Sequence, residues 1–115
     1  MTQYSQESLQ AKVEITQLKG IIDTAHSNDV KNQITEALNV GANTILIDCK
    51  DITFMNSAGL STLVMLLKLA KQKGVRLCLC SIHDQVAILF EATGMNRVFE
   101  IFEDSHTFFQ TLEMI

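Results

Sequence analysis

Three features of the sequence predict an α/β fold, with a mixed, mostly parallel sheet of four to five strands and about four helices. Short apolar runs alternate along the chain with segments of helical period. Two of the runs, "TILID" at Thr44 to Asp48 and "VRLCLC" at Val75 to Cys80, are apolar at most positions, as strands covered on both faces are. Connections are a few residues long and contain no proline, so each helix must carry the chain directly back to the next strand, which makes those strands parallel.

The elements follow in order. Residues 1–11 are polar and are expected to form a flexible N-terminus. Val13, Ile15 and their neighbours alternate up to Leu18, which reads as a half-buried strand, and Gly20 with "IID" suggests a tight continuation into a second strand ending at Asp23. Val30, Ile34, Ala37 and Leu38 recur at helical spacing, predicting a helix from about Asn28 to Val40, with Ser27, Asn28 or Asp29 as caps and Gly41 as its stop. After the Thr44 to Asp48 strand, "KDITFMN" reads as a loop. A strong helix then runs from about Ser57 to Lys73, ending in Lys71, Lys73 and Gly74, which suit a helix C-terminus. Beyond the Val75 to Cys80 strand, Asp84 opens a short helix stopped by Gly94; "RVFEIF" is a last strand, and "DSHTFFQTLEMI" a closing helix begun at Asp104 or Ser105. The whole of residues 1–115 reads as one domain, since the chain is too short for two ordinary cores.

Composition narrows the function classes. Nine Lys and Arg against thirteen Asp and Glu give a net charge of −4 without a long run of either sign, which argues against a nucleic-acid binder. The N-terminus lacks the basic and apolar regions of a secretory signal, and no apolar run approaches the roughly 20 residues that cross a bilayer, so a cytoplasmic location and no membrane insertion are expected. Cys49, Cys78 and Cys80 are an odd count in such a chain and read as free thiols packing as small hydrophobes. "CLC" with His83 supplies at most three ligands in a spacing unlike zinc folds, so no metal or cofactor is expected.

The chemistry concentrates at "DITFMNSAGLSTLVML", Asp51 to Leu66. A turn of about 100° per residue puts Leu60, Leu63, Val64, Leu67 and Ala70 on one stripe that covers the sheet. Ala58, Thr62, Met65 and Leu69 then fall on the other side, with Leu66 at the margin, where a surface helix would carry charges. Either another helix covers this second stripe, or it is a docking face. Ser57 has three readings: helix cap, nucleophile, or hydroxyl that receives a phosphate. The cap is compatible with either functional reading. The nucleophile compares poorly with the G-x-S-x-G elbow, because Met55 stands where that turn needs glycine, so no catalytic residue is assigned.

"LIDCKDITFMNSAGLSTLV" resembles the signature of STAS domains, the family of anti-sigma factor antagonists that also includes cytoplasmic domains of sulfate transporters. The segment "LKGIIDTAHS" resembles the family's stretch after its first strand, and "GVRLCLCSIHDQVAILFEATGMNRVFEIF" resembles its second half, so the likeness spans about residues 13 to 112. It implies that Ser57 is phosphorylated by a partner that is both a serine kinase of histidine-kinase-like fold and an anti-sigma factor. The unphosphorylated domain captures that partner, phosphorylation releases it, and a phosphatase of PP2C type resets the switch. Asp23, Asp51, Asn56 and Gly59 would shape the loop around Ser57, with Ala58, Thr62, Met65 and Leu69 as the contact stripe. At Asn56 many members carry aspartate; asparagine keeps the size and turn preference but removes a charge. An alternative within the family is an adaptor subunit of a lipid-transport ABC complex or stress-sensing assembly, in which the serine is not phosphorylated.

Overall fold

The computed structural model describes residues 12–113. The flexible N-terminus expected over residues 1–11 therefore lies outside the described residues, as do the last two residues of the closing helix. Four strands, β1 (Val13–Ile22), β2 (Thr44–Met55), β3 (Arg76–Cys80) and β4 (Glu100–Phe102), form one sheet in the order β1-β2-β3-β4. All three neighbouring pairs are parallel. The crossovers are α1 (Ser27–Asn39), α2 (Ser57–Gln72) and α3 (Asp84–Thr93), and α4 (Ser105–Glu113) follows the last strand. Short 3-10 turns at Thr24–His26 and Met95–Arg97 lead into α1 and out of α3. No helix among the described residues is long and apolar enough to cross a membrane.

Alternation along the central strands divides the core in two. Ile45, Ile47 and Cys49 point toward the side carrying Val30 and Ile34 of α1, Leu63 and Leu66 of α2, and Val86 and Phe90 of α3. Leu46, Cys78 and Cys80 point the other way and pack with Phe108 of α4. Leu63 and Leu66 of α2 are fully buried, and each such side chain contributes about 1.5–3 kcal/mol relative to exposure. Helix α2 is thus the central helix of the larger layer, and its first turn rides on the carboxyl end of the sheet, where α/β domains usually carry their sites. Burial pushes the Cys49 and Cys78 thiols up to about 12, so both stay protonated and pack as apolar groups.

Three boundaries differ from the sequence expectation. The predicted last strand "RVFEIF" begins only at Glu100, because Arg97 closes the 3-10 turn Met95–Arg97 and Val98 and Phe99 bond back to Met95. The two strands predicted on either side of Gly20 are one strand, because β2 pairs with it on both sides of the glycine. Gly20 sits at φ +75 beside a register shift, so the chain bends there and continues along the same partner. The predicted loop "KDITFMN" is the second half of β2. Register shifts fall between Gln17 and Lys19 and between Gly20 and Ile21. These irregularities break the period of two, so buried Ile52 and Met55 are separated by exposed Thr53 and Phe54 and the stretch looks like no regular element in the sequence.

Candidate functional site

The site begins where β1 and β2 end side by side, with Ile22 paired to Met55. The Asn56 amide donates to the Ile22 carbonyl at 3.3 Å, which closes the turn from strand to helix. Asn56 is extended, at φ −109 and ψ −178, and its side-chain oxygen accepts from the Gly59 amide at 3.0 Å. Asn56 is therefore the N-cap of α2, and the sequence expectation that Ser57 caps the helix is corrected: Ser57 is the first residue inside it. Asparagine and serine are comparable caps, and sequence alone does not say which of two adjacent candidates has the extended backbone. The correction leaves the Ser57 side chain exposed, with no hydrogen bond among the described residues.

Gly59 is buried and fixes how closely the helix approaches the strand. A β-carbon there would stand 2.1 Å from the Ile22 carbonyl oxygen. Gln85, from the first turn of α3, was not anticipated from the sequence. β3 stops opposite Asp48, so the last residues of β2 have no β3 neighbour. At Met55 the Gln85 amide takes that place: it accepts from the Met55 amide at 2.9 Å and donates to the Met55 carbonyl at 2.8 Å. His83 makes a similar contact with the Lys50 carbonyl through its Nε2. No sequence signal marks either residue, because each acts on backbone rather than on a matching side chain.

Of the two predicted acidic neighbours, the structure brings one to this end. Asp23 directly follows Ile22; it caps the 3-10 turn, accepts from the His26 amide at 3.1 Å and meets His26 Nδ1 at 2.6 Å. The hydrogen bonds from His26 hold its carboxyl below the usual carboxylate range. Asp51 is elsewhere. It lies inside β2, four residues before Met55 or on the order of 13 Å along the strand, and its carboxylate accepts from Gln17 Nε2 at 2.5 Å.

The predicted contact stripe is split. Thr62 is buried at 8% exposure and donates its hydroxyl to the Ala58 carbonyl, on a helix that packs against α1, β1 and the Thr24–His26 turn. Leu69 is partly buried against the core and Ala58 is half-buried, while Met65 is 45% exposed. The open sector of α2 runs instead through Ser57, Ser61, Met65 and Lys68. A groove of about 310 Å³ lies beside it, lined by Ser57, Leu60, Ser61, Val64, Thr93 and Met95. It separates α2 from the end of α3.

The cap assignment has a measurable consequence. Asn56→Ala should cost about 1 kcal/mol of stability, whereas Asn56→Asp, an equivalent cap, should stay within a few tenths. Urea unfolding of the three proteins checks this, and equal midpoints for Asn56→Ala and the parent would remove Asn56 from the cap.

A doubly covered parallel sheet thus presents an unengaged serine and an apolar groove at one helix start. The family model for the STAS domain matches residues 9–108. The chain belongs to the STAS domain family. It is similar to the anti-sigma F factor antagonist of Paenibacillus polymyxa, 28% identical over 102 residues that cover 88% of this chain and 87% of that one. Its fold is similar to an anti-sigma factor antagonist from Mycobacterium paratuberculosis, with a TM-score of 0.78 at 15% identity over 89% of this chain and 86% of that one. It is also similar to the antagonist SpoIIAA in its unphosphorylated form, with a TM-score of 0.71 at 17% identity over 93% of this chain and 94% of that one.

Proposed function

We propose that this protein is an anti-sigma factor antagonist, a cytoplasmic single-domain regulator that binds a kinase-type anti-sigma factor through the start of α2. Phosphorylation of Ser57 switches that binding off. The observation that carries the reading is the position of Ser57: exposed, at the first helical residue, and relieved of capping by Asn56. A kinase can reach its hydroxyl without dismantling the helix end. The name of the Paenibacillus relative supports the class of partner.

Physical chemistry favours an acceptor over a nucleophile. An acyl-transfer serine needs a base within hydrogen-bond reach, and no histidine bonds to Ser57 among the described residues. A phosphate, by contrast, suits the helix start, where unpaired amides and the dipole favour negative charge. ATP and magnesium would come with the kinase, and a PP2C-type phosphatase would restore the free serine. Ala58 and Met65 are exposed enough to meet the partner, together with Ser61 and Val64 beside the groove. Asp23 stands close enough in the fold to bias that surface toward negative charge.

Incubation with the cognate kinase and ATP is expected to place one phosphate on the protein and none on Ser57→Ala. Intact-mass measurement reads the result, and a mutant that gains the same mass would overturn the assignment.

A further inference from the structure

The distribution of charge on α2 is lopsided. No Asp or Glu occurs between Asp51 and Asp84, while five of the nine Lys and Arg fall between residues 68 and 97 in a chain of net charge −4. Arg76 is engaged by Glu100 through two hydrogen bonds of 2.8 and 2.7 Å. Lys68, Lys71, Lys73 and Arg97 take part in no salt bridge among the described residues.

None of these cations lines the groove beside Ser57, but Lys68 and Lys71 continue the face of α2 that starts there. A second hollow of about 180 Å³ follows along α2, lined by Leu67, Lys71 and Val98 together with the paired Arg76 and Glu100. Ser57, Ser61, Val64, Lys68 and Lys71 succeed one another at spacings of three and four, so they form one face of α2. Met95 and Val98 flank that face from the 3-10 turn after α3 and its exit. The seam between α2 and this turn therefore has an apolar floor at the Ser57 end and, toward the other end, Lys71 with Lys68 on the same helix face, beside the mutually neutralised Arg76 and Glu100. Its length is that of α2, 16 residues, or about 24 Å.

The geometry points to this seam as the docking groove for an acidic amphipathic helix of the partner protein. The apolar edge of that helix lies over Leu60, Val64 and Met95, and its carboxylates face Lys68, Lys71 and Arg97. A helix laid along a groove between helices satisfies both requirements at once. A phosphate on Ser57 would then add negative charge at the end of a groove built for a negative ligand. The inference deepens the switch described above, on which it rests for the choice of α2 as the docking helix. An extended anionic surface such as a membrane or nucleic acid fits less well, because the floor is concave and apolar and the chain as a whole is acidic.

The test uses the full chain and a displayed library of 18-residue amphipathic helices, with a fixed apolar face and a polar face drawn from Glu, Gln and Lys. Selected binders are expected to be Glu-rich and to lose at least tenfold in affinity, by fluorescence anisotropy, for Lys68→Glu/Lys71→Glu whose circular dichroism is unchanged. Ser57→Asp should weaken them too. The absence of binders, Lys-rich binders, or full affinity for the double variant would overturn the groove. Sedimentation of the protein with phosphatidylglycerol vesicles, lost in the double variant, would overturn it in favour of a membrane surface. Phosphorylation of Ser57 is read independently by mass, so failure of the groove with intact phosphorylation leaves the switch standing.

Discussion

Replacing Gly59 with alanine is expected to cost about 3 kcal/mol of folding stability, the upper part of the usual range for overpacking. The new β-carbon would stand 2.1 Å from the Ile22 carbonyl oxygen and 2.9 Å from the Ile22 Cγ2. Relief requires the start of α2 to move away by about 1.4 Å, since comfortable contacts begin near 3.5 Å. That movement would stretch the bond from the Asn56 amide to the same carbonyl, so the clash and the lost hydrogen bond act together. Helix propensity alone would favour alanine by about 1 kcal/mol, which sets the two effects in opposition and makes the sign informative. Ser61→Ala, on an exposed position of the same helix, should change stability by no more than about 0.5 kcal/mol. For a domain of this size the Gly59→Ala melting temperature should fall on the order of 15 °C. A fall of less than about 5 °C would show that α2 is not held against β1 at this point.

Phosphorylation of Ser57 is expected to weaken the partner complex by about 100-fold or more while leaving the domain folded. The modification adds about −1.5 to −2 charges at pH 7. Within the domain those charges meet the positive end of α2, a contact worth about 0.3–1 kcal/mol in favour of the helix. At an interface the same charges must be desolvated against the partner, beside the carboxylate of Asp23 and an apolar groove. Misplaced charge in such a setting costs several kcal/mol, and about 2.7 kcal/mol is already 100-fold. Calorimetric titration of the phosphorylated and free protein with the kinase, in the absence of ATP, measures the ratio. Paired thermal melts separate the two routes to release: an unchanged melting temperature means an altered surface, whereas a collapse would mean that release comes from unfolding.

Most of the architecture was legible because it is written in periodicity. The α1 and α2 helices fall within a residue of their predicted limits, since their apolar positions recur at three and four and their ends carry ordinary stop residues. β3 was legible from its apolar run. The first strand was divided in two because Gly20 is a common terminator, and β2 was cut short because register shifts hide a strand whose outer face is polar. At the site, the sequence located Ser57, Asn56 and Gly59 together but exchanged the roles of the first two. It placed Asp51 at the serine because a separation of six residues in sequence does not reveal a strand that carries that carboxylate away.

The sequence by itself determined the class of fold, the central helix and the serine that opens it, because each depends on local propensity and on patterns that a few neighbouring residues carry. Only the tertiary structure decided which faces of α2 remain open. Packing buries Thr62 and leaves Met65 open, and the seam with the end of α3 gathers Ser57, Val64 and Met95 from separate parts of the chain. Burial is a property of what packs against a surface, and an apolar stripe reads the same in sequence whether a neighbouring helix or an incoming partner covers it.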